Sequence, residues 1–343
     1  MAQVTDSPHS PWTPLHDRLH HTLRHRGLLP KGERVLIAVS GGQDSLTLTQ
    51  LLLDLRSRWG WELAIAHCNH RWRSDADANA AEVAKFADTR QLPYFCRTTT
   101  VAIHSEASAR DWRYAALTEI ALAEGYGAIA TGHTASDRGE TLLYNLLRGS
   151  GADGLQALTW SRELSLGLRL VRPLLDVTRQ ETAQFCQAFG LPVWEDSTNN
   201  DWRYARNRIR QELLPYLRQH FNPQVEQTLA QTAELLQAEV AYLETLTDQW
   251  YEKASQPQEG DRPSPFLNRK ILQSAPLALQ RRVVRRFLSH SLERAPGFDH
   301  IEKVVALINA PNRSQTDPFP GGAIAQVQGD EIHLVSSLRL AEQ

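Results

Sequence analysis

Between Val35 and Leu55 the chain reads as an aliphatic run, Val-Leu-Ile-Ala-Val, then Ser-Gly-Gly-Gln-Asp-Ser from Ser40 to Ser45, then a segment carrying Leu46, Leu48, Leu51, Leu52 and Leu55. Five consecutive β-branched and aliphatic residues bounded by Gly-Gly describe a strand buried on both faces of a parallel sheet, with a helix to follow. Lacking Cβ atoms, Gly41 and Gly42 let the backbone turn sharply and approach a ligand, and Asp44 or Ser45 is expected to N-cap the helix. Backbone N–H groups and the positive helix end then converge on the turn, where a phosphate is the natural guest. The Gly-x-x-x-x-Gly-Lys-Ser/Thr spacing of the ordinary P-loop is absent. Asp44 in this turn would repel a polyphosphate, so its presence predicts a divalent cation, magnesium, beside a nucleotide.

Further strands are expected over 62–69, 93–100, 127–131 and 168–171, alternating with helices over 75–89, 106–124, 136–147 and 178–189. This alternation predicts an α/β fold, a doubly wound parallel sheet of about five strands with ligands at the strands' carboxyl ends. Pro8, Pro11 and Pro14 lead into a short amphipathic helix with Leu15, Leu19 and Leu23 on one face. A basic helix over 204–214, interrupted at Pro215, precedes a long amphipathic helix from Val225 to Trp250, and a linker is expected over 256–265. Helices over 277–289 and 298–309 and a hairpin around Gly329-Asp330 complete the chain. At 343 residues it exceeds a single core. The expected division is 1–30, a tail and short helix; 31–215, the nucleotide domain; 216–265, linker helix and linker; and 266–343, a small, mostly helical domain.

With 41% hydrophobic and 22% charged residues the chain is not a disordered one, and its net charge of -2 gives no hint of a nucleic-acid partner. Local distribution does. Arg203, Arg206, Arg208 and Arg210 stand beside Trp202 and Tyr204, a pattern suited to phosphates and unstacked bases, and Arg281, Arg282, Arg285 and Arg286 form a second cluster. Three separated cysteines, Cys68, Cys96 and Cys186, argue for a reducing compartment and against zinc or iron–sulfur sites. No apolar run reaches membrane-span length, and a cytoplasmic protein is expected.

Two more stretches carry chemistry. In Thr131-Gly-His-Thr-Ala-Ser-Asp-Arg-Gly-Glu-Thr141, His133 ends a strand and Asp137 and Glu140 share one face of the next helix, gathering three titratable groups at the sheet edge. His67-Cys-Asn-His70 closes the second strand, and Glu106-Ala-Ser-Ala-Arg110 with Arg113-Tyr114 offers arginines to phosphate.

Together these motifs resemble the tRNA(Ile)-lysidine synthetase family of ATP pyrophosphatases. The matches are Ser40 to Ser45, His67 to His70, Glu106 to Tyr114, Thr131 to Thr141, Arg172-Pro-Leu174, Glu195-Asp196 and Arg206 to Arg210, with Pro320-Gly-Gly322 before the hairpin. Trp72 departs from the family's leucine. The resemblance implies ATP-dependent adenylation of the wobble cytidine of tRNA(Ile) with anticodon CAU, then attack by free L-lysine to give lysidine. It implies ATP binding by Ser40, Gly41, Gly42, Gln43, Asp44 and Ser45; their position at the sheet edge assigns magnesium to Asp44 and Asp137. His133, Asp137, Glu140 and Asp44 are the catalytic candidates, and His70, Arg113, Arg206 and Arg208 those for substrate and tRNA. A homodimer is compatible with it. The alternatives are a tRNA thiolase, for which suitable cysteines are missing, and a non-catalytic, nucleotide-sensing tRNA-binding protein.

Overall fold

The computed structural model describes residues 12–72, 74–100, 105–194, 202, 204–255, 266–292 and 294–336. Glu195, Asp196, Arg203 and the linker expected over 256–265 lie outside these. The chain divides into two compact units, Met1–Gln237 and Ala238–Gln343.

The first unit opens with α1 (Pro14–Arg26), whose Leu15, Leu19 and Leu23 are buried. Then β1 (Arg34–Ala38), α2 (Gln43–Trp59), β2 (Glu62–Asn69), α3 (Ala76–Thr89), β3 (Tyr94–Thr98), α4 (Glu106–Glu124) and β4 (Ala128–Thr131) alternate. They continue with α5 (Ala135–Leu147), the short α6 (Ala152–Leu155), β5 (Ser161–Ser165), β6 (Leu168–Val171) and α7 (Arg179–Ala188). The sheet order is β3-β2-β1-β4-β6-β5, and every pairing is parallel except β5 on β6.

Strand periodicity divides the core between the two faces of the sheet. Val35, Ile37, Leu63, Ile65, Ala128 and Ala130 meet the leucines of α1 and α2 on one side, while Leu36, Ala64, Ala66, Ile129 and Leu170 meet Leu117, Ile120 and Ala121 of α4 on the other. Each such leucine contributes about 1.5–3 kcal/mol on burial. Truncating the fully buried Leu51 to alanine would cost about 2–5 kcal/mol. From β1 the sheet grows outward in both directions, which makes the crevice at the carboxyl ends of β1 and β4 the topological switch point.

Three details depart from the sequence reading. A sixth strand, β5, forms an antiparallel edge. The N-cap of α2 is Gly42, not Asp44 or Ser45: the Ser45 hydroxyl donates to the Gly42 carbonyl at 2.8 Å, and Asp44 is engaged elsewhere. Pro215 does not interrupt its helix. Between α8 (Ala205–Arg208) and α9 (Leu214–His220) lies a π-helical turn, Ile209–Leu213, which accommodates the missing N–H and the bulk of the proline ring.

The unit boundary falls within α10 (Val225–Ser255). In the second unit, β7 (Phe266–Asn268), α11 (Arg269–Gln273), α12 (Leu277–Ser291), α13 (Phe298–Leu307), β8 (Ala323–Gln328) and β9 (Glu331–Ser336) enclose Leu267, Val283, Val284, Phe287, Val304, Val327 and Ile332. The sheet order is β7-β9-β8, antiparallel throughout. The arginines of α12 are not a bare basic patch. Arg281 pairs with Glu302 at 2.7 Å, Arg285 with Glu244 at 3.4 Å, and Arg282 and Arg286 also bond Glu244. Arg286 also bonds Asp248. Among the described residues no helix is long and apolar enough to cross a membrane.

Candidate active site

The loop between β1 and α2 is held from three sides. Ser40 Oγ accepts the Gly42 N–H at 3.3 Å, Asn79 Nδ2 donates to the Ser40 carbonyl at 3.0 Å, and the Trp194 N–H donates to the Gly41 carbonyl at 2.9 Å. Gly41 sits at φ +88°, and a Cβ there would strike Asn79 Oδ1. Opposite, β4 delivers Gly132 so close to α2 that a Cβ would lie 2.8 Å from the Asp44 carbonyl and 2.9 Å from the Ser45 nitrogen. The first turn of α2, whose amides lack intrahelical acceptors, is thereby wedged against the strand end.

Asp44 accepts from the Thr182 hydroxyl and stands 3.7 Å from the Arg179 guanidinium. Its carboxyl is nevertheless raised above the ordinary range, by burial and by repulsion from Asp137, against the pull of Arg179. Asp137 is the N3 partner in the capping box of α5, whose N-cap is Thr134, its Oδ2 taking the Thr134 N–H and hydroxyl at 2.8 Å each. Burial works upward on it, but His133, Arg210, the Thr134 amide and Arg179 outweigh that and hold it below the usual range. His133 is pushed down to about 3 by burial, with Arg172, Arg113 and Arg206 acting the same way against Asp137. Its Nδ1 lies 2.9 Å from Thr131 Oγ1, which in turn donates to the Val171 carbonyl. That arrangement puts the ring proton on Nδ1 and leaves the Nε2 lone pair available.

Glu140 is 3% exposed and raised by burial, yet Arg210 grips both its oxygens, at 2.6 and 2.8 Å. Burial alone would depress Arg210, but its bonds to Glu140 and the charge of Asp137 raise it above its ordinary value. Asp137 thus closes the first turn of α5, whereas Glu140 is held by tertiary contact.

Two adjoining cavities result. One, of about 560 Å³, runs along Ser40, Gly42, Gln43, Asp44, Ser45, Asn79, Arg179 and Trp194. The other, of about 670 Å³, is lined by Arg110, Glu140, Arg162, Arg172, Tyr204, Arg206 and Arg210. His70, Trp72, Arg113, Tyr114, His133 and Asp137 line both. The second cavity is cationic. Arg162 and Arg113 stand 4.7 and 5.7 Å from the Tyr114 ring, and with Arg172 they outweigh burial and lower the Tyr114 phenol. His70 is pushed down to about 4 by burial, with Arg113 and His67 contributing, and its ring packs edge-on against Trp112 at 4.8 Å. Its Nδ1 is buried with no hydrogen-bond partner among the described residues, as suits a group that awaits a ligand.

The candidates from sequence thus converge, with two exceptions: Gly41 lines neither cavity, its carbonyl taken by the Trp194 N–H, and Arg208 stands apart. Arg208 is exposed, donates to the Trp202 carbonyl at 2.9 Å and lines neither cavity. Arg210, from the same cluster, takes the inward position. Arg179 was not legible as a site residue, because it stands at a helix start where local electrostatics favour an acid.

Among the described residues no group of three or more His, Cys, Asp or Glu side chains suits a metal ion. The switch-point crevice, the glycine loop facing a helix start and the arginine-lined second cavity define an enzyme that uses a nucleotide against an anionic second substrate. Residues 13–217 match the family described as PP-loop domain, and residues 267–330 that described as TilS substrate binding domain. The chain is 60% identical to the tRNA(Ile)-lysidine synthase of Nostoc sp., over 94% of this chain and 97% of that protein. It is 53% identical to that of Synechocystis sp. (94% and 98%), and 36% identical to the chloroplastic tRNA(Ile)-lysidine synthase of Zygnema circumcarinatum (84% and 78%). The U34-tRNA thiolase NcsA from Methanococcus maripaludis, solved with its 4Fe-4S cluster, shares the fold. It aligns at TM-score 0.56 and 16% identity over 65% of this chain and 77% of that one. The chain belongs to the tRNA(Ile)-lysidine synthase family.

Proposed function

We propose that the chain ligates lysine to C2 of the wobble cytidine of tRNA(Ile) with anticodon CAU. The observation that carries this reading is the wall, His133 and Asp137 among its residues, shared by a phosphate-type crevice and a basic cavity. In the first step the cytidine O2 attacks the α-phosphorus of ATP and pyrophosphate leaves. In the second, the ε-amine of lysine attacks C2, and AMP departs with that oxygen. Adenylation turns a poor leaving oxygen into a good one.

Ser40 to Ser45 would cradle the β- and γ-phosphates with the first amides of α2. Asp44 and Asp137 fit magnesium: they are oxygen donors that repel one another across the crevice, and the ion would need only phosphate and water oxygens to complete its shell. When bound, it supplies charge neutralisation between these carboxylates and the triphosphate. Free lysine, with a reference pKa of about 10.4, must lose a proton before attack. In the shared wall the Nε2 lone pair of His133 and the Asp137 carboxylate are placed to accept from that ammonium; both are weak bases in the empty site, so the negative charge of bound nucleotide and RNA must raise one of them before it takes the proton. Glu140, paired through both oxygens, fixes the Arg210 guanidinium in the wall of the second cavity, and Arg113, Arg162, Arg172 and Arg206 face the RNA phosphates and the departing adenylate.

The test is incubation with ATP, radiolabelled lysine and tRNA(Ile) transcripts. Label confined to transcripts with C at the wobble position, with AMP and pyrophosphate released, supports the reading. RNA binding without AMP release would overturn it in favour of a nucleotide-sensing module.

A further inference from the structure

Arg138 follows Asp137 in sequence, but its side chain is only 1% exposed and lines neither cavity. Its Nη1 donates to Glu234 at 2.8 Å and its Nη2 to Gln237 at 3.1 Å, both on α10, while its Nε is buried without an acceptor among the described residues. Glu234 also accepts from Trp160 Nε1 at 2.6 Å and from Arg26 at 2.8 Å, and the Arg26 guanidinium lies 4.0 Å from the Trp160 ring. Ser136 donates to Glu226 at 2.6 Å, and Gly139 lets Leu229 come within 3.5 Å of where a Cβ would be. Helical geometry separates the two sets by about 100° per residue: Ser136, Arg138 and Gly139 bind α10, whereas Asp137 and Glu140 face the cavities.

We infer that Arg138, held by Glu234, is a positioning residue for the reaction: it fixes the rotation of α5 about its axis and so the placement of Asp137 and Glu140. This rests on the function proposed above. A buried ion pair is a poor device for stability, since apolar residues of similar volume often replace it without loss. A guanidinium fork adds direction, which a catalytic helix needs and a merely structural contact does not.

The test compares wild type, Arg138→Met, Arg138→Lys, Glu234→Gln and the double variant Arg138→Met/Glu234→Leu by thermal melting, KM for ATP and kcat for lysine transfer. The double variant is expected to melt below wild type, because Glu234 also accepts from Trp160 Nε1 and Arg26, but, assayed well below its midpoint, to keep KM for ATP within about twofold and to lose on the order of 10- to 100-fold in kcat, the scale of an ångström's misplacement. Arg138→Lys is expected to recover part of that loss. A double variant with wild-type kcat would overturn the inference while leaving the function intact. If the double variant does not fold, Glu234→Gln, a change at a partly exposed position, decides: reduced kcat at unchanged KM for ATP supports the inference, and wild-type kcat overturns it. A wild type that transfers no lysine overturns the function and this inference together.

Discussion

Arg210 donates two parallel hydrogen bonds to Glu140, whose side chain is 4% exposed, from a π-helical turn 70 residues later in the chain. Removing the guanidinium would leave a buried carboxylate unpaired. Arg210→Met should cost stability toward the lower end of the roughly 3–5 kcal/mol typical of a broken buried pair, because Arg210 itself keeps 25% exposure. Arg210→Lys, which lacks the fork, should recover only part. Urea denaturation of the three proteins checks both.

Gly132→Ala should impair nucleotide binding although it adds a single methyl group. The new atom would meet backbone of Asp44 and Ser45 at 2.8–2.9 Å, and backbone cannot swing aside as a side chain can. The start of α2 must shift, and with it the amides that would face phosphate. Equilibrium dialysis with ATP is expected to show binding weakened at least tenfold.

Acid should destabilise the ligand-free chain before its carboxylates titrate. His133 and His70 stay neutral when folded down to about 3 and about 4, whereas unfolded imidazoles take a proton near 6.5. Between those values the unfolded state binds more protons, so stability falls as pH falls through 6.5 toward 4, at up to about 1.4 kcal/mol per pH unit for each ring. Above pH 7 neither ring contributes a slope. His70→Asn should flatten the acid limb, measured by urea midpoints at pH 8, 6 and 5.

Asp44→Asn should stabilise the empty protein and abolish its turnover. Burial and Asp137 raise the Asp44 carboxyl, so its charged form is disfavoured on folding, and the stability it contributes when protonated is lost as pH rises. The amide removes that cost at pH 8 and, with it, the carboxylate proposed to hold magnesium. A higher melting temperature with no AMP released would meet the expectation; an unchanged requirement for magnesium with normal AMP release would defeat it.

What could be read before folding was whatever lies within one stretch of chain. Ser40 to Ser45 needs only its strand and helix, and Asp137 and Glu140 need only helical spacing. Arg162 and Arg179 reach the cavities from elements that sheet topology brings together, and no local pattern marks them; Arg172 and Arg210 stand in marked stretches, but nothing local shows that they point inward. Strand β5 hid because Arg162 and Glu163 give its outer edge a polar sequence. The arginines of α12 looked unpaired because Glu244 and Asp248 stand about forty residues upstream, a separation near the 38 residues between Arg282 and Glu244. Pro215 reads as a break only where its turn is an ordinary α-turn.

Because one partition of six side chains serves both chambers, their guests must lie within reach of a single molecule. A compound joining an adenosine phosphate to a lysine-like amine through a short tether would pay most of its association entropy once, and its second half would dock at an effective concentration in the millimolar range. Such a bisubstrate ligand should hold the chain far more tightly than either fragment.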